Sequence, residues 1–138
     1  MGYQMNKDLD KQLCDKYPDI FKDRHGDMRE TAMCWGFDCG DGWYNIIDNL
    51  CATIKNREYN LKLNKKEFVP VVATQVKEKY GGLRFYYTGG DDYIDGAVAF
   101  AEYMSEVTCE VCGKPGKLRG HNWMYTACDE HTREEDKE

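Results

Sequence analysis

Four residues near the C-terminus have the types and the spacing of metal ligands. Two residues separate Cys109 from Cys112, two separate Cys128 from His131, and fifteen lie between the pairs. Thiolates and imidazoles at this spacing can reach one ion, and Gly113 permits the tight turn that aims backbone amides at the sulfurs. Because four protein ligands fill the tetrahedral shell of zinc, we expect a structural Zn²⁺ site rather than a catalytic one.

The segment between the two ligand pairs is expected to form a short hairpin, with strands in residues 116–120 and 122–127. His121 lies between these strands, where we expect an exposed side chain rather than a ligand. A helix is predicted to begin at Cys128 and to carry the second ligand pair. That arrangement is typical of a treble-clef zinc finger, and a zinc ribbon is the close alternative.

Basic and aromatic residues alternate in the same hairpin, and no acidic residue lies between positions 113 and 127. Such side chains can bind phosphate groups and stack on bases. The candidate nucleic-acid contacts are Lys114, Lys117, Arg119 and Trp123. The alternative is that the aromatic ring covers the metal site and the lysines are merely solvated. A net charge of −6 and a pI near 5.1 disfavour general coating of nucleic acid but leave room for a local patch.

A second group of reactive side chains surrounds a glycine-rich loop. Four residues separate Cys34 from Cys39, a spacing that occurs in metal sites, and Cys14, His25 or Cys51 could complete one. We favour reduced, unligated cysteines here, because free cysteine is simply a small buried residue. Cys39 and His25 could instead act as a nucleophile and its base. Since nothing in the sequence brings them together, we expect no enzyme.

Two tryptophans flank the same loop. Trp35 and Trp43 are candidate contact residues, either for a protein partner or in an aromatic pocket for a small signalling nucleotide. The glycines of residues 36–42 lead into a predicted helix, where backbone amides can bind a phosphate. Asp38 and Asp41 would repel that phosphate, so a structural loop is the favoured interpretation.

Apolar periodicity predicts helices in the first half of the chain. Helical spacing covers residues 6–24 with a break at Pro18, and residues 25–42 are interpreted as an irregular loop. From Trp43 onward, apolar residues recur at spacings of three and four, which predicts a second helix with Asp41 as its N-cap.

The second half of the chain adds strands. A β-hairpin is predicted for residues 69–87 around a Gly-Gly pair, and a further helix covers residues 94–104. Asp91, Asp92 and Asp95 could form a carboxylate cluster, but we favour them as caps of this helix. The fold class is therefore α+β, with helices packed on a small antiparallel hairpin or sheet and a C-terminal treble-clef-like zinc finger. We expect an N-terminal α+β domain, residues 1–105, and a zinc-binding module, residues 106–138.

The composition explains why a metal would be needed. Only 24 of 138 residues are Leu, Ile, Val or Phe, although 18 aromatic residues supply further apolar surface. The number of cysteines is odd, at seven, and no apolar run has the length of a signal peptide or a membrane span. We therefore expect a cytoplasmic protein without membrane contact, stabilised by metal rather than by disulfides.

The chain resembles small proteins encoded by tailed phages and prophages. The resemblance lies in the order and the residue types of the motifs in three regions, residues 34–44, 75–87 and 109–131. The resemblance covers most of the chain. It implies an accessory protein that acts in the cytoplasm of a bacterial host. Such proteins often bind and inhibit a host component, and anti-defence proteins, including anti-CRISPR proteins, belong to this general class.

These observations predict a non-enzymatic, zinc-stabilised protein that binds and inhibits a host protein or a protein–nucleic-acid complex. Its expected contact surfaces are the hairpin of the zinc module and the region around Trp35 and Trp43. The first alternative is a nucleic-acid-associated regulator that uses the zinc module. The others are sequestration of a signalling nucleotide and a cysteine- or metal-dependent enzyme. The aromatic surface also allows self-association into a homo-oligomer.

Overall fold

The computed structural model describes residues 2–137, and these form an α+β fold, which confirms the expected class. Its regular elements are α1 (Lys7–Lys16), β1 (Phe37–Asp38), α2 (Tyr44–Leu63), β2 (Val72–Lys79), β3 (Gly82–Thr88), α3 (Asp92–Ser105), β4 (Lys117–Arg119) and β5 (Tyr125–Ala127). Within residues 2–137, no helix is both long and apolar enough to cross a membrane.

The main sheet has three strands in the order β1-β2-β3, with β1 parallel and β3 antiparallel to β2. The predicted hairpin is confirmed, but its turn is Tyr80-Gly81, and Gly82 already belongs to β3. Tyr80 and Gly81 have φ values of 54° and 85°, and a two-residue hairpin turn of this kind needs positive φ at both positions. Glycine supplies the second at little cost.

The expectation of a wholly irregular loop over residues 25–42 is wrong at its end, because Phe37 and Asp38 form β1. Phe37 pairs with Val76 and Asp38 with Lys77. A partly buried ion pair holds the preceding loop: Arg24 donates to both carboxylate oxygens of Asp10 and, at 2.9 Å, to the Cys34 carbonyl. A two-residue strand has no periodicity of its own, so its pairing depends on these tertiary contacts.

Helix α3 runs beside the outer edge of β3 and satisfies its backbone. The Leu83 N–H donates to Ser105 Oγ at 2.8 Å, and the Phe85 N–H donates to the Glu102 carboxylate at 2.9 Å. Exposed strand edges can pair with other chains, so these side chains block that route at β3. Of the three aspartates predicted to cap α3, Asp91 is the N-cap, since its carboxylate accepts from the Ile94 N–H.

The cap predicted for α2 is wrong. A 3₁₀ turn, Asp41–Trp43, precedes this helix, and no side chain caps its first residues. The Asp41 carboxylate accepts instead from the Asn6 N–H at 2.8 Å, which ties the start of α1 to the loop before α2. A long-range acceptor of this kind cannot be recognised from local spacing.

Most buried side chains form one cluster between the helices and the main sheet, which we call the body core. Its largest members include Leu13, Ile20, Phe37, Trp43, Ile47, Ile54 and Val76. A second, small cluster contains Cys109, Tyr125, Ala127 and Cys128. Trp43 is completely buried, so its ring cannot contact a partner, and that prediction is wrong. The physical reason is that Trp43 ends the 3₁₀ turn before α2 and continues the apolar face of that helix into the core.

Candidate metal centre

The structure brings the four predicted ligands together. The ligand atoms of Cys109, Cys112, Cys128 and His131 all lie within 4.8 Å of one another, and they form the metal-ligand cluster of the described residues. Cys112 Sγ lies 3.7 Å from Cys128 Sγ. His131 Nδ1 lies 3.6 Å from Cys109 Sγ and 3.2 Å from Cys128 Sγ.

These distances are those of ligands around a common ion. With Zn–S bonds of about 2.3 Å and Zn–N bonds of about 2.0 Å, a tetrahedron has S···S edges of about 3.8 Å and S···N edges of about 3.5 Å. The three measured distances lie close to these edges. Three thiolates and one imidazole also form a donor set that suits zinc. The cluster therefore fits a metal ion of this size and preference.

The first ligand pair lies on a tight turn. Gly113, with a φ of 82°, donates its N–H to the Cys109 carbonyl at 2.9 Å. Burial raises the pKa of the Cys109 thiol, but backbone N–H groups of Cys128, Cys112 and Val111 outweigh this effect and leave the pKa below its ordinary value. The turn thus favours the thiolate, the form that binds metal.

The second ligand pair lies on a shorter element than predicted. The hairpin β4–β5 is confirmed, with Lys117 paired to Ala127 and Arg119 to Tyr125. After Cys128, however, only a 3₁₀ turn, Asp129–His131, replaces the predicted helix. Thr132 then has extended backbone angles, which end the turn. The treble-clef description therefore stays a prediction.

Glu110, between the first two ligands, joins this centre to residues 2–105, which we call the body. Its carboxylate accepts from the Gly40 N–H at 2.9 Å, and its carbonyl accepts from the Gly42 N–H at 2.8 Å. The Trp43 indole N–H donates to the Thr108 carbonyl at 2.9 Å. The glycine loop, for which a structural role was favoured over phosphate binding, thus donates its backbone N–H groups to a residue of its own chain.

The glycines of this loop are required by close approach of two backbones. A Cβ atom added at Gly42 would overlap the Cys109 carbonyl oxygen and lie 2.6 Å from the Gly113 nitrogen. One added at Gly40 would overlap the Glu110 carbonyl oxygen. The pattern Gly-x-Gly before a helix was the sequence signal for this contact, although the sequence does not identify the partner. Burial raises the pKa of Glu110 to about 7, although the hydrogen bond from the Gly40 N–H opposes this rise.

A second contact joins the hairpin of the module to the turn of the main sheet. The Thr126 hydroxyl donates to the Gly81 carbonyl at 2.6 Å, and both residues are buried. The Thr126 carbonyl accepts from the Glu110 N–H at 3.1 Å. The metal-bearing segment therefore contacts the body at both of its ends.

The predicted nucleic-acid contacts of the hairpin are partly occupied by neighbouring acids. Lys114 pairs with Glu130 at 3.3 Å. Arg119 pairs with Asp129 at 2.9 Å and also donates to the Ala127 carbonyl, which leaves only 13% of its side chain exposed. The side chains of Lys117 and Trp123 are exposed. Trp35, the other predicted contact residue, is exposed as well.

The remaining cysteines have separate environments. Cys14 contacts the Asp10 carboxylate, Cys34 contacts the Thr31 carbonyl, and Cys51 lies in the body core. Among residues 2–137, none of these joins a group of metal-binding side chains. Cys39 is fully buried, and burial raises the pKa of its thiol well above the ordinary value, so it is not placed to act as a nucleophile.

Comparison with protein-family models, with curated proteins and with solved structures finds no match to this chain. The resemblance to phage-encoded proteins, and the bacterial host that it implied, gain no support from relatives.

Proposed function

We propose that this protein is a zinc-stabilised binding protein that acts without catalysis, by contacting a macromolecular partner. The observation that carries the proposal is the closed Cys3His cluster together with its docking on the body through Glu110. Four protein ligands leave zinc no open position for water or substrate, which is typical of a structural site. The proposed fold of the module is treble-clef-like. It consists of the turn at residues 109–113, which we call the knuckle, the β4–β5 hairpin, and a final helix reduced to one 3₁₀ turn.

Binding is supported by the distribution of aromatic side chains. Trp35 is 58% exposed and Trp123 is 51% exposed, and such rings are favoured at binding surfaces because they bury large areas with few rotatable bonds. The aromatic pocket proposed for a signalling nucleotide is not supported, because Phe37 and Trp43 fill the body core. Inhibition of a host protein stays a narrower form of the same proposal.

Metal analysis tests the structural part. Purified protein should contain one zinc per chain, and cobalt substitution should give the absorption spectrum of a tetrahedral site with three thiolates. Chelation should release amide protection in residues 106–137 but preserve it in α2 and β2. A chain that contains no zinc, or a module that keeps its protection after chelation, would contradict the proposal.

Capture from a cell lysate tests the binding part. Wild-type protein is compared with a Trp35→Ala/Trp123→Ala variant, whose substitutions leave the body core intact. We expect the variant to retain its zinc and to lose the molecules that the wild type enriches. Identical sets from both proteins would place the contact elsewhere than on these rings.

A further inference from the structure

One face of the main sheet carries cations and an aromatic ring. Lys77 pairs directly with Arg84, and Gln75 pairs with Tyr86. Directly paired residues of antiparallel strands point to the same side, and alternate residues along a strand share a face. These four side chains therefore lie together, whereas the intervening Val76 points into the body core. We call this surface the cationic sheet face.

The cations on the cationic sheet face form no ion pairs among the residues that the structure describes. Lys77 and Arg84 are like charges directly opposite one another, which is destabilising unless an anion lies nearby. Within residues 2–137, neither of them, nor Lys79, has a carboxylate within 4.0 Å. Arg84 donates only to the Leu83 carbonyl.

The acidic groups that border this face, Asp38, Glu102 and Glu106, offset part of its charge without forming ion pairs with its cations. Asp38 pairs with Lys77 across the parallel strands, and burial raises its pKa, although Lys77 and Arg24 oppose that shift. Glu102 borders the same surface as Arg84, but its carboxylate accepts from the Phe85 N–H. The strand pair β2–β3 thus carries three cations without ion pairs in a chain whose net charge is −6.

The face continues into an aromatic pocket at the turn of the sheet. A pocket of about 430 Å³ lies between the β2–β3 turn and the tip of the β4–β5 hairpin. It is lined by Glu78, Lys79, Tyr80, Asn122, Trp123 and Met124. Tyr80 is 72% exposed and Trp123 is 51% exposed. Two accessible rings beside a lysine and an amide provide stacking surfaces next to a phosphate-binding group and a hydrogen-bonding group.

We propose that single-stranded nucleic acid binds along the cationic sheet face and into this pocket. Lys77, Lys79 and Arg84 contact the phosphates. Tyr86, Tyr80 and Trp123 stack on the bases, which are accessible only when a strand is unpaired. The centre of a protein–protein interface is depleted of charge, whereas this surface is centred on two cations, so a protein partner fits it less well. The inference rests on the proposed binding function and names its partner class.

The test is fluorescence anisotropy with labelled oligo-dT and oligo-U of roughly 20 nucleotides at about 50 mM salt, beside a duplex of the same length. The Lys77→Ala/Arg84→Ala variant should bind the single strands at least about tenfold more weakly. Because each phosphate contact on a single strand contributes about 0.7 to the salt slope, the slope should fall by about 1.4. Trp123→Ala should cost roughly tenfold through lost stacking.

Two control variants remove the same charge from other surfaces. Lys62→Ala/Lys66→Ala, near the end of α2, should leave affinity within about twofold, apart from a small general effect of net charge. Lys114→Ala/Lys117→Ala tests the hairpin surface predicted from the sequence. A loss in this variant without a loss in Lys77→Ala/Arg84→Ala would overturn the inference, as would equal losses in all three or tighter binding of the duplex. Lys77→Gln/Arg84→Gln keeps part of each aliphatic stem and a polar end but removes both charges, so it should bind as weakly as the alanine variant.

The outcomes separate this inference from the proposed function. If zinc-loaded, folded protein binds no oligonucleotide at about 50 mM salt, the inference fails and the binding function stands with a protein partner. If the chain contains no zinc and chelation leaves its module folded, the proposed function fails whatever the oligonucleotides do.

Discussion

The body and the module of this protein are stabilised by different means. The body core contains 21 buried residues, whereas the second cluster contains four, and two of those four are the ligands Cys109 and Cys128. Four residues cannot bury enough apolar surface to offset the entropy of ordering the segment. We therefore expect the module to depend on metal and on its contacts with the body, and the body core to form without either.

The largest effect should come from removing a metal ligand. Cys109→Ser leaves three ligands, and structural zinc in small peptides contributes about 10 kcal/mol or more to folding. We expect zinc content to fall well below one per chain and amide protection to vanish in residues 106–137. Cys34→Ser is the matched control, because that thiol contacts only the Thr31 carbonyl. Loss of zinc from the control as well would show that the two regions are not separate.

A smaller effect is expected where the two backbones touch. Gly42→Ala places a methyl group against the Cys109 carbonyl, so body and module must move apart at a cost of about 3 kcal/mol, measured by denaturant unfolding. Gly96→Ala is the control, because a Cβ there meets nothing within 4 Å, and alanine within a helix should stabilise α3 by roughly 0.5–1 kcal/mol. Equal effects of the two substitutions would refute the close approach.

Trp43→Phe tests the hydrogen bond that crosses from the core to the module. The variant keeps an aromatic ring in the core but removes the donor to the Thr108 carbonyl. We expect a loss of about 2 kcal/mol in the free energy of unfolding, from the lost bond and the smaller ring. Trp35→Phe, at an exposed position, should change it by less than about 0.5 kcal/mol. A Trp43→Phe protein as stable as the wild type would mean that the bond contributes nothing.

The smallest effect is expected at Glu110. Two substitutions there separate loss of the hydrogen-bond acceptor from loss of the negative charge. Glu110→Ala removes the acceptor for the Gly40 N–H and should cost about 1–2 kcal/mol. Glu110→Gln retains a carbonyl acceptor of the same length, so most of that loss should be restored. Thermal unfolding at neutral pH gives both values. If the glutamine variant is as unstable as the alanine variant, the contact requires the carboxylate itself.

The sequence predicted those parts of the fold that depend on short-range spacing. The four ligands form two pairs with fixed separations, and the helices and the β2–β3 hairpin follow from periodicity and a glycine turn. Trp43 had been assigned both to an apolar helix face and to a contact surface, and the periodicity was the better guide. The 3₁₀ turn after Cys128 differs from the predicted helix because Thr132 has extended backbone angles, which end the turn after His131.

Other features could not be predicted because they depend on register or on distant contacts. The opposition of Lys77 and Arg84 appears only when β2 and β3 are aligned residue by residue. Likewise, Glu110 is an ordinary residue between two cysteines until Gly40 and Gly42 are placed beside it. The sequence therefore predicted the cluster of metal ligands. It predicted neither the cationic sheet face nor the contact between Glu110 and the glycine loop.

The contact between Gly40 and Glu110 also has a consequence for the order of folding. The two residues are 70 positions apart, so their contact closes a long loop and is entropically unfavourable in a disordered chain. The β2–β3 hairpin and the helices within that loop have more local contacts and should form first, which shortens the effective loop. Metal binding by the Cys3His cluster and docking of residues 109–113 on the body should come last. We expect this step to appear as a refolding phase whose rate depends on the concentration of zinc.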